Sequence, residues 1–392
     1  MSKGAVVIVG AGQGGFQAAL SLRQEGYEGP ITLIGAEPGL PYQRPPLSKT
    51  YLKNGEAEKL ILRPRKVFDA KDITLRSGAR VEGLDRAARQ VVIGHERLDY
   101  EILILATGTR NLRPPLPGVE RALDLRTLED AATLRAALDQ PRRIAVIGGG
   151  FIGLEFAAVA ASLGHRVSLA EAAPRLMARA VSPEMSERFR ALHESLGTAL
   201  YLGNGVTEVM DQGIGLADGT RLDADLVLLA AGVCPNVDLA AAAGLEVDNG
   251  IVVDATLRTA DPHVFALGDC AAFPEARSGA RVRLESVQAA TDHARAIAKT
   301  IVHGTTDPYA AVPWFWSDQH DCKLQIAGLA LPGDESVLLD SGAVLRFRDG
   351  RLSAVETVND AKTHMKGRRV LAQDAAPTRD SLLKRNYDLT AA

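Results

Sequence analysis

Residues 5–9, Ala-Val-Val-Ile-Val, form an unbroken apolar run that stops at the glycine cluster GAGQGG. A helix-compatible stretch, FQAALSLRQEG, follows it, and a second apolar run, ITLIG, then leads to Glu37. Residues 144–171 repeat the order as IAVI, GGGFIG, LEFAAVAASLG and RVSLAE, closing at Glu171. Solid apolar runs mark strands covered on both faces, as in a parallel sheet. The pattern therefore predicts two strand–turn–helix–strand units. Two more apolar runs end in residues with chemistry: LDYEILILATGTR at Thr107 and Gly108, and DPHVFALGDC at Gly268 and Asp269. Near the C-terminus the pattern changes to alternation, SGAVLRFRDGRLSAVETV, which predicts a hairpin turning at Asp349-Gly350.

The glycine spacing has a physical reading. Gly10 permits a tight turn, Gly12 lets backbone approach a pyrophosphate, and Gly15 lets helix and strand pack closely; Gly148, Gly150 and Gly153 stand in the same order. Each helix start then offers free N–H groups to phosphate. Glu37 and Glu171 are placed to accept ribose hydroxyls. Two complete units predict two bound dinucleotides. Ligands of open parallel sheets sit at the carboxyl ends of strands, so Asp269 is expected at a ligand, with a helix cap as its alternative role.

The length of 392 residues predicts two or three domains. With 46% apolar residues, 24% charged residues and a net charge of −3, the composition is globular, with no overall pull toward nucleic acid or anionic membrane. Lys3 precedes an apolar run too short for a signal peptide, and LVLLAAGVCPNVDLAAAAGL is broken by Pro235, Asn236 and Asp238, so no membrane span is expected. Cys234, Cys270 and Cys322 are the only cysteines and form no CxxC, which argues against a disulfide framework or a zinc site and for a cytoplasmic protein.

Together with ATG, GDC and PYQRPPLSK, the two glycine units resemble the pyridine-nucleotide flavoprotein reductases of the glutathione reductase fold. LRTLEDA, GGGFIGLE, ESVQAATDHARAIA, PWFWSDQ and KLQIAGL are similar to the NADH-dependent reductases of [2Fe–2S] ferredoxins, of the putidaredoxin reductase and dioxygenase ferredoxin reductase type. The resemblance spans nearly the whole chain. It implies an α/β fold with two Rossmann-like dinucleotide-binding domains, for FAD and NADH, plus a C-terminal α+β domain. The expected boundaries are 1–112 with 242–312 for FAD, 113–241 for NADH and 313–392 for the C-terminal domain, with RNLRPPLPG as a linker.

The same resemblance assigns residues. Gly14, Glu37, Lys49, Val81, Arg126, Asp269 and Val287 match FAD-contacting positions, alongside Gly10, Gly12, Gly15, Thr107 and Gly108 of the motifs, and Arg44 stands close to them. Ala36 stands where an acid is common, which leaves ribose binding to Glu37. Gly148, Gly150, Ile152, Gly153 and Glu171 match the NADH set. Trp316 is expected at the cofactor face and Trp314 in packing. Lys49 is the expected catalytic cation beside flavin N5, aimed by Pro45 and Pro46. Glu155, expected in the first turn of the second nucleotide helix, is its partner.

The helix starting near ESVQAA would favour reduced, anionic flavin through its dipole. Glu171 favours NADH over NADPH, while Arg166, Arg175 and Arg179 keep the phosphorylated cofactor open. The implied partner is a small acidic [2Fe–2S] ferredoxin, met transiently, that serves a cytochrome P-450 or a Rieske oxygenase. Arg63, Arg65 and Lys66, or Lys366, Arg368 and Arg369, are the basic patches for it. The alternatives are an NADH oxidase or peroxidase, a rubredoxin reductase, and a redox sensor like apoptosis-inducing factor. A disulfide reductase is disfavoured because no cysteine precedes Cys234.

Overall fold

The computed structural model describes residues 4–373 and 375–390; Lys3 lies outside them. The chain divides into two compact units. The first comprises Met1–Gln43, Glu58–Arg110 and Cys234–Ala311, and the second Arg44–Ala57, Asn111–Val233 and Val312–Ala392.

In the first unit five parallel strands lie in the order Val264–Ala266, Ile102–Leu105, Val6–Val9, Ile31–Gly35, Ile73–Ser77. Val6 stands opposite both Ile31 and Ile102. Strand order reverses between Val6–Val9 and Ile102–Leu105, which is where a doubly wound sheet opens a crevice at its carboxyl edge. All four residues of Val6–Val9 are buried, which explains the solid apolar run. Helix Gln13–Gln24 packs on helix Val287–His303. A Cβ on Gly14 would lie 2.3 Å from Leu267 Cδ1 and 3.4 Å from Ala290 Cβ, so Gly14 sets how closely these helices approach.

The second unit repeats the plan. Its parallel strands run Ala199–Leu202, Arg166–Glu171, Arg143–Ile147, Leu226–Leu229, reversing beside the first of them in sequence. The duplication reaches further than the glycine motif. After the third parallel strand each unit inserts a three-stranded antiparallel meander: Gly83–Asp85, Gln90–Ile93 and Glu96–Asp99 in one, Val206–Met210, Gly213–Leu216 and Arg221–Asp223 in the other. The fourth parallel strand then follows.

The second unit also holds a five-stranded antiparallel sheet in the order Trp314–Gln319, Cys322–Gly328, Arg351–Val358, Val344–Arg348, Glu335–Leu338, with helix Ala361–Leu371 packed on it. Asp349 (φ 49°) and Gly350 (φ 72°) form the expected turn, with Arg348 opposite Arg351. Two successive left-handed residues match the right-handed twist of a tight hairpin. A buried tie joins this sheet to the nucleotide-type fold of the same unit. Ser182 caps helix Pro183–Ser195 and donates from N and Oγ to Glu356, which is fully buried and also accepts from Arg346 at 2.9 Å. The α/β class with an added C-terminal domain is thus as expected. Among the described residues no helix is long and apolar enough to cross a membrane.

Candidate functional site

The two glycine turns impose the same constraints. Gly10 (φ 111°) and Gly148 (φ 110°) are left-handed, and a Cβ on them would lie 2.1 Å from Ala106 O and 2.3 Å from Ala230 O. A Cβ on Gly15 would lie 1.9 Å from Gly10 O, and one on Gly153 2.2 Å from Gly148 O. Gly12 and Gly150 differ: nothing lies within 4 Å of a Cβ built there. The outer glycines are therefore required by the fold, while the middle ones leave a space that a phosphate fits. The helices beginning at Gln13 and Phe151 have no side-chain cap and no acid in their first turn. By contrast, Thr127, Ser182, Ser286, Asp360 and Thr378 cap their helices with side chains. Uncapped N–H groups over open space suit the pyrophosphates of FAD and NADH.

In the first unit, Gly10, Thr107 and Asp269 follow the carboxyl ends of three neighbouring strands. Thr107 Oγ1 donates to Asn236 O at 2.7 Å, and Asn236 Nδ2 donates back to Thr107 O at 2.9 Å, so this side chain is a clamp on the following loop. Gly108 is left-handed at φ 64°. Asp269 sits within a single turn, Gly268–Cys270, and the helix Val287–His303 is capped by Ser286, so Asp269 is not a cap of that helix. Its carboxylate faces Thr109 Oγ1 at 3.4 Å, and its backbone oxygen accepts from Arg283 at 3.1 Å. Glu37 accepts from Tyr42 Oη at 2.5 Å. Val81 packs at the edge of the core, and Val287 opens its helix.

In the second unit, the closing acid is not at the position of Glu37. Gly10 N–H bonds Ile34 O, and Gly148 N–H bonds Ala170 O, so Glu171 corresponds to Gly35. The Glu171 carboxylate accepts from Gly149 N at 2.6 Å and Ala173 N at 2.7 Å, which fixes it against the glycine turn. Of the nearby arginines, Arg175 is spent on Val181 O, Ser186 Oγ and Ala178 O. Arg166 begins the strand that Glu171 ends. Ile152 presents an apolar side chain, 41% exposed, beside Gly150 and Gly153.

Lys49 and Glu155 meet. Residues Pro45–Ser48 form one tight helical turn, after which Lys49 Nζ donates to Pro45 O at 3.0 Å and pairs with Glu155 Oε2 at 2.7 Å. Glu155 is the fifth residue of helix Phe151–Ser162, past its first turn, and is nearly buried. The helix terminus therefore does not account for it. Ser48 Oγ donates to Oε2 at 2.5 Å and Ser317 Oγ to Oε1 at 2.7 Å. Ser48 and Ser317 were not expected. For Ser317, PWFWSDQ signals burial though not the partner: Phe315 packs on Phe151 with ring centroids 4.6 Å apart, and Ser317 and Gln319 share its parity, a polar pair on the buried face of a strand. Arg44 donates to Arg126 O at 2.6 Å, holding the loop on its other side.

Trp314 and Trp316 lie on one strand face, 5.6 Å apart, with Arg368 stacked over Trp314 at 4.8 Å. Arg368, from the expected basic patch, keeps its charge while packing on this ring. Lys366 and Arg369, joined by Lys362, line a 410 Å³ surface pocket on helix Ala361–Leu371. In the other patch Arg65 pairs with Asp69 at 3.5 Å and Arg63 turns to Leu62 O.

Residues 4–294 match the pyridine nucleotide-disulphide oxidoreductase family, and residues 314–392 match the reductase C-terminal family. The chain is 44% identical over 401 residues to rhodocoxin reductase of Rhodococcus erythropolis, covering 99% of this chain and 94% of that protein. It is 39% identical to putidaredoxin reductase of Pseudomonas putida, covering 96% and 94%. The solved ferredoxin reductase for the CYP199A2 system from Rhodopseudomonas palustris has a TM-score of 0.94 at 44% identity, covering 98% of both chains. The covalent putidaredoxin reductase–putidaredoxin complex matches at 0.93 and 37% identity, covering 99% of this chain and 98% of that one.

Proposed function

This chain belongs to the pyridine nucleotide-disulphide oxidoreductase family, and from that premise we infer that it passes electrons from NADH through FAD to a [2Fe–2S] ferredoxin serving a cytochrome P-450 or a Rieske oxygenase. The observation that carries this reading is a missing relay: the stretch holding Lys49 contains no cysteine, and the chain has none before Cys234. Electrons that cannot step onto a thiol pair leave for an external carrier. Flavin supplies the redox chemistry, taking two electrons as hydride and giving them up singly.

The chain's residues bind and orient. The glycine turns and their uncapped helices hold the pyrophosphates; Glu37 and Glu171 take ribose hydroxyls. Glu171 also repels a 2′-phosphate, which favours NADH. Lys49, held by Glu155, is the cation for negative charge on reduced flavin. The assigned domains follow the resemblance, FAD on 1–112 and 242–312, NADH on 113–241, with 313–392 as the C-terminal part. Arg44, Val81, Arg126, Val287 and Trp316 complete the FAD set. Lys362, Lys366 and Arg369 offer a basic face to the acidic ferredoxin. Three free thiols support a cytoplasmic location.

The test is NADH-driven cytochrome c reduction with and without a [2Fe–2S] ferredoxin. Ferredoxin-dependent stimulation is expected. Fast oxygen consumption with no stimulation would point to an oxidase, and slow turnover with a persistent reduced nucleotide complex would point to a sensor; either overturns the reading.

A further inference from the structure

The Lys49–Glu155 pair is the end of a longer chain of hydrogen bonds. His193 Nε2 lies 3.0 Å from Gln319 Oε1, Gln319 Nε2 lies 3.2 Å from Ser317 Oγ and 3.6 Å from Met177 Sδ, and Ser317 Oγ lies 2.7 Å from Glu155 Oε1. Chemistry fixes its direction. A carboxylate only accepts, so the Ser317 hydroxyl hydrogen goes to Glu155. Ser317 Oγ then accepts from the Gln319 amide nitrogen, which leaves the Gln319 oxygen for His193. His193 must carry its hydrogen on Nε2. Its Nδ1 is buried with no partner among the described residues, and burial lowers the imidazole's affinity for a second proton. Along the path from His193 through Gln319 and Ser317 each donor therefore points toward Glu155, while the Gln319 amide also donates to Met177 Sδ.

Ser317, Gln319 and His193 are fully buried. Three buried polar groups cost stability unless each is bonded, and apolar residues of similar size would fill the same space without that condition. We propose that Ser317, Gln319 and His193 are positioning residues for Lys49, acting through Glu155; the proposal rests on the reading of Lys49 above. The strand Trp314–Gln319 fixes Oε1, so Oε2 is held toward Ser48 and Lys49. Without the Ser317 hydroxyl, Oε1 has lost its donor, and the carboxylate turns toward water and draws the ammonium with it.

The experiment uses the FAD-loaded protein and trace acetylation of lysines with acetic anhydride, read at the Lys49 peptide by mass spectrometry. Lys49 is 16% exposed in its side chain. Its labelling is expected to rise several-fold in Ser317→Ala and to return to the parent level in Ser317→Thr, which keeps the hydroxyl. Hydride transfer from NADH should slow about tenfold in Ser317→Ala with KM for NADH unchanged. Gln319→Met, which keeps size but not the amide, gives the same comparison should Ser317→Ala not accumulate. Parent-level Lys49 labelling in both variants, at parent FAD content and melting temperature, overturns the proposal. A Lys49→Ala variant with parent hydride-transfer rate removes the reading of Lys49 itself, which the labelling does not depend on.

Discussion

Glu155 and Lys49 form an ion pair in a nearly closed place. The carboxylate is satisfied on both oxygens, Oε1 by the Ser317 hydroxyl and Oε2 by the Ser48 hydroxyl and the ammonium. Burial favours the neutral form of several histidines. Burial pushes His293 down to about 3, and burial with the Arg368 charge pushes His364 down to about 4; His193 is also lowered by burial. His293 Nδ1 accepts the Gly268 N–H at 3.2 Å, so neutrality there supports the turn that carries Asp269. The unfolded value is 6.5. As pH falls, the unfolded chain binds these protons first, so stability is complete above that value and is lost progressively toward the folded values. Melting temperature should therefore fall between roughly pH 6.5 and 4.5. In His293→Gln, whose amide oxygen still accepts from Gly268, the fall should be shallower. An identical acid profile in parent and variant would rule out this role for His293.

At the scale of elements, the outer glycines of each turn serve the fold, and the middle one is the proposed phosphate contact. Gly153→Ala places a methyl 2.2 Å from Gly148 O, against backbone that cannot yield cheaply, whereas Gly150→Ala meets open space. Gly153→Ala should cost about 1–3 kcal/mol or more of stability. Gly150→Ala should melt within about 2 °C of the parent yet raise KM for NADH about tenfold. Equal losses of stability in both variants would contradict this division.

The strand–turn–helix units and the hairpin were legible because burial on both faces, or on one, writes itself as a run or an alternation of apolar residues. The Lys49–Glu155 pair was legible through resemblance. Its other partners were not: Ser48 and Ser317 lie 107 and 162 residues from Glu155, and no local pattern signals such contacts. The meanders leave no mark in the hydrophobic pattern because strands such as Gly83–Asp85 and Arg221–Asp223 are three residues long, too short for periodicity. The offset between Glu37 and Glu171 is a matter of strand register, which spacing alone does not reveal.

Across the whole molecule, one architecture is used twice. Each unit has the same strand reversal, the same glycine turn, and a meander before its fourth strand. The copies diverge in what surrounds the turn. One is followed by the turn bearing Asp269; the other by Glu155 inside its own helix and by the antiparallel sheet that reaches it through Ser317. What the chain lacks is equally informative: Cys270 is buried, its thiol pushed up by burial, and bonded to backbone oxygens, so it is not a relay. The destination of the electrons decides the function. Protein reduced with one equivalent of NADH is mixed with excess oxidised [2Fe–2S] ferredoxin without oxygen, and bleaching of the cluster is followed by stopped flow. Two ferredoxins should be reduced per NADH at a rate that supports turnover; a cluster that stays oxidised while the flavin stays reduced would contradict a ferredoxin reductase.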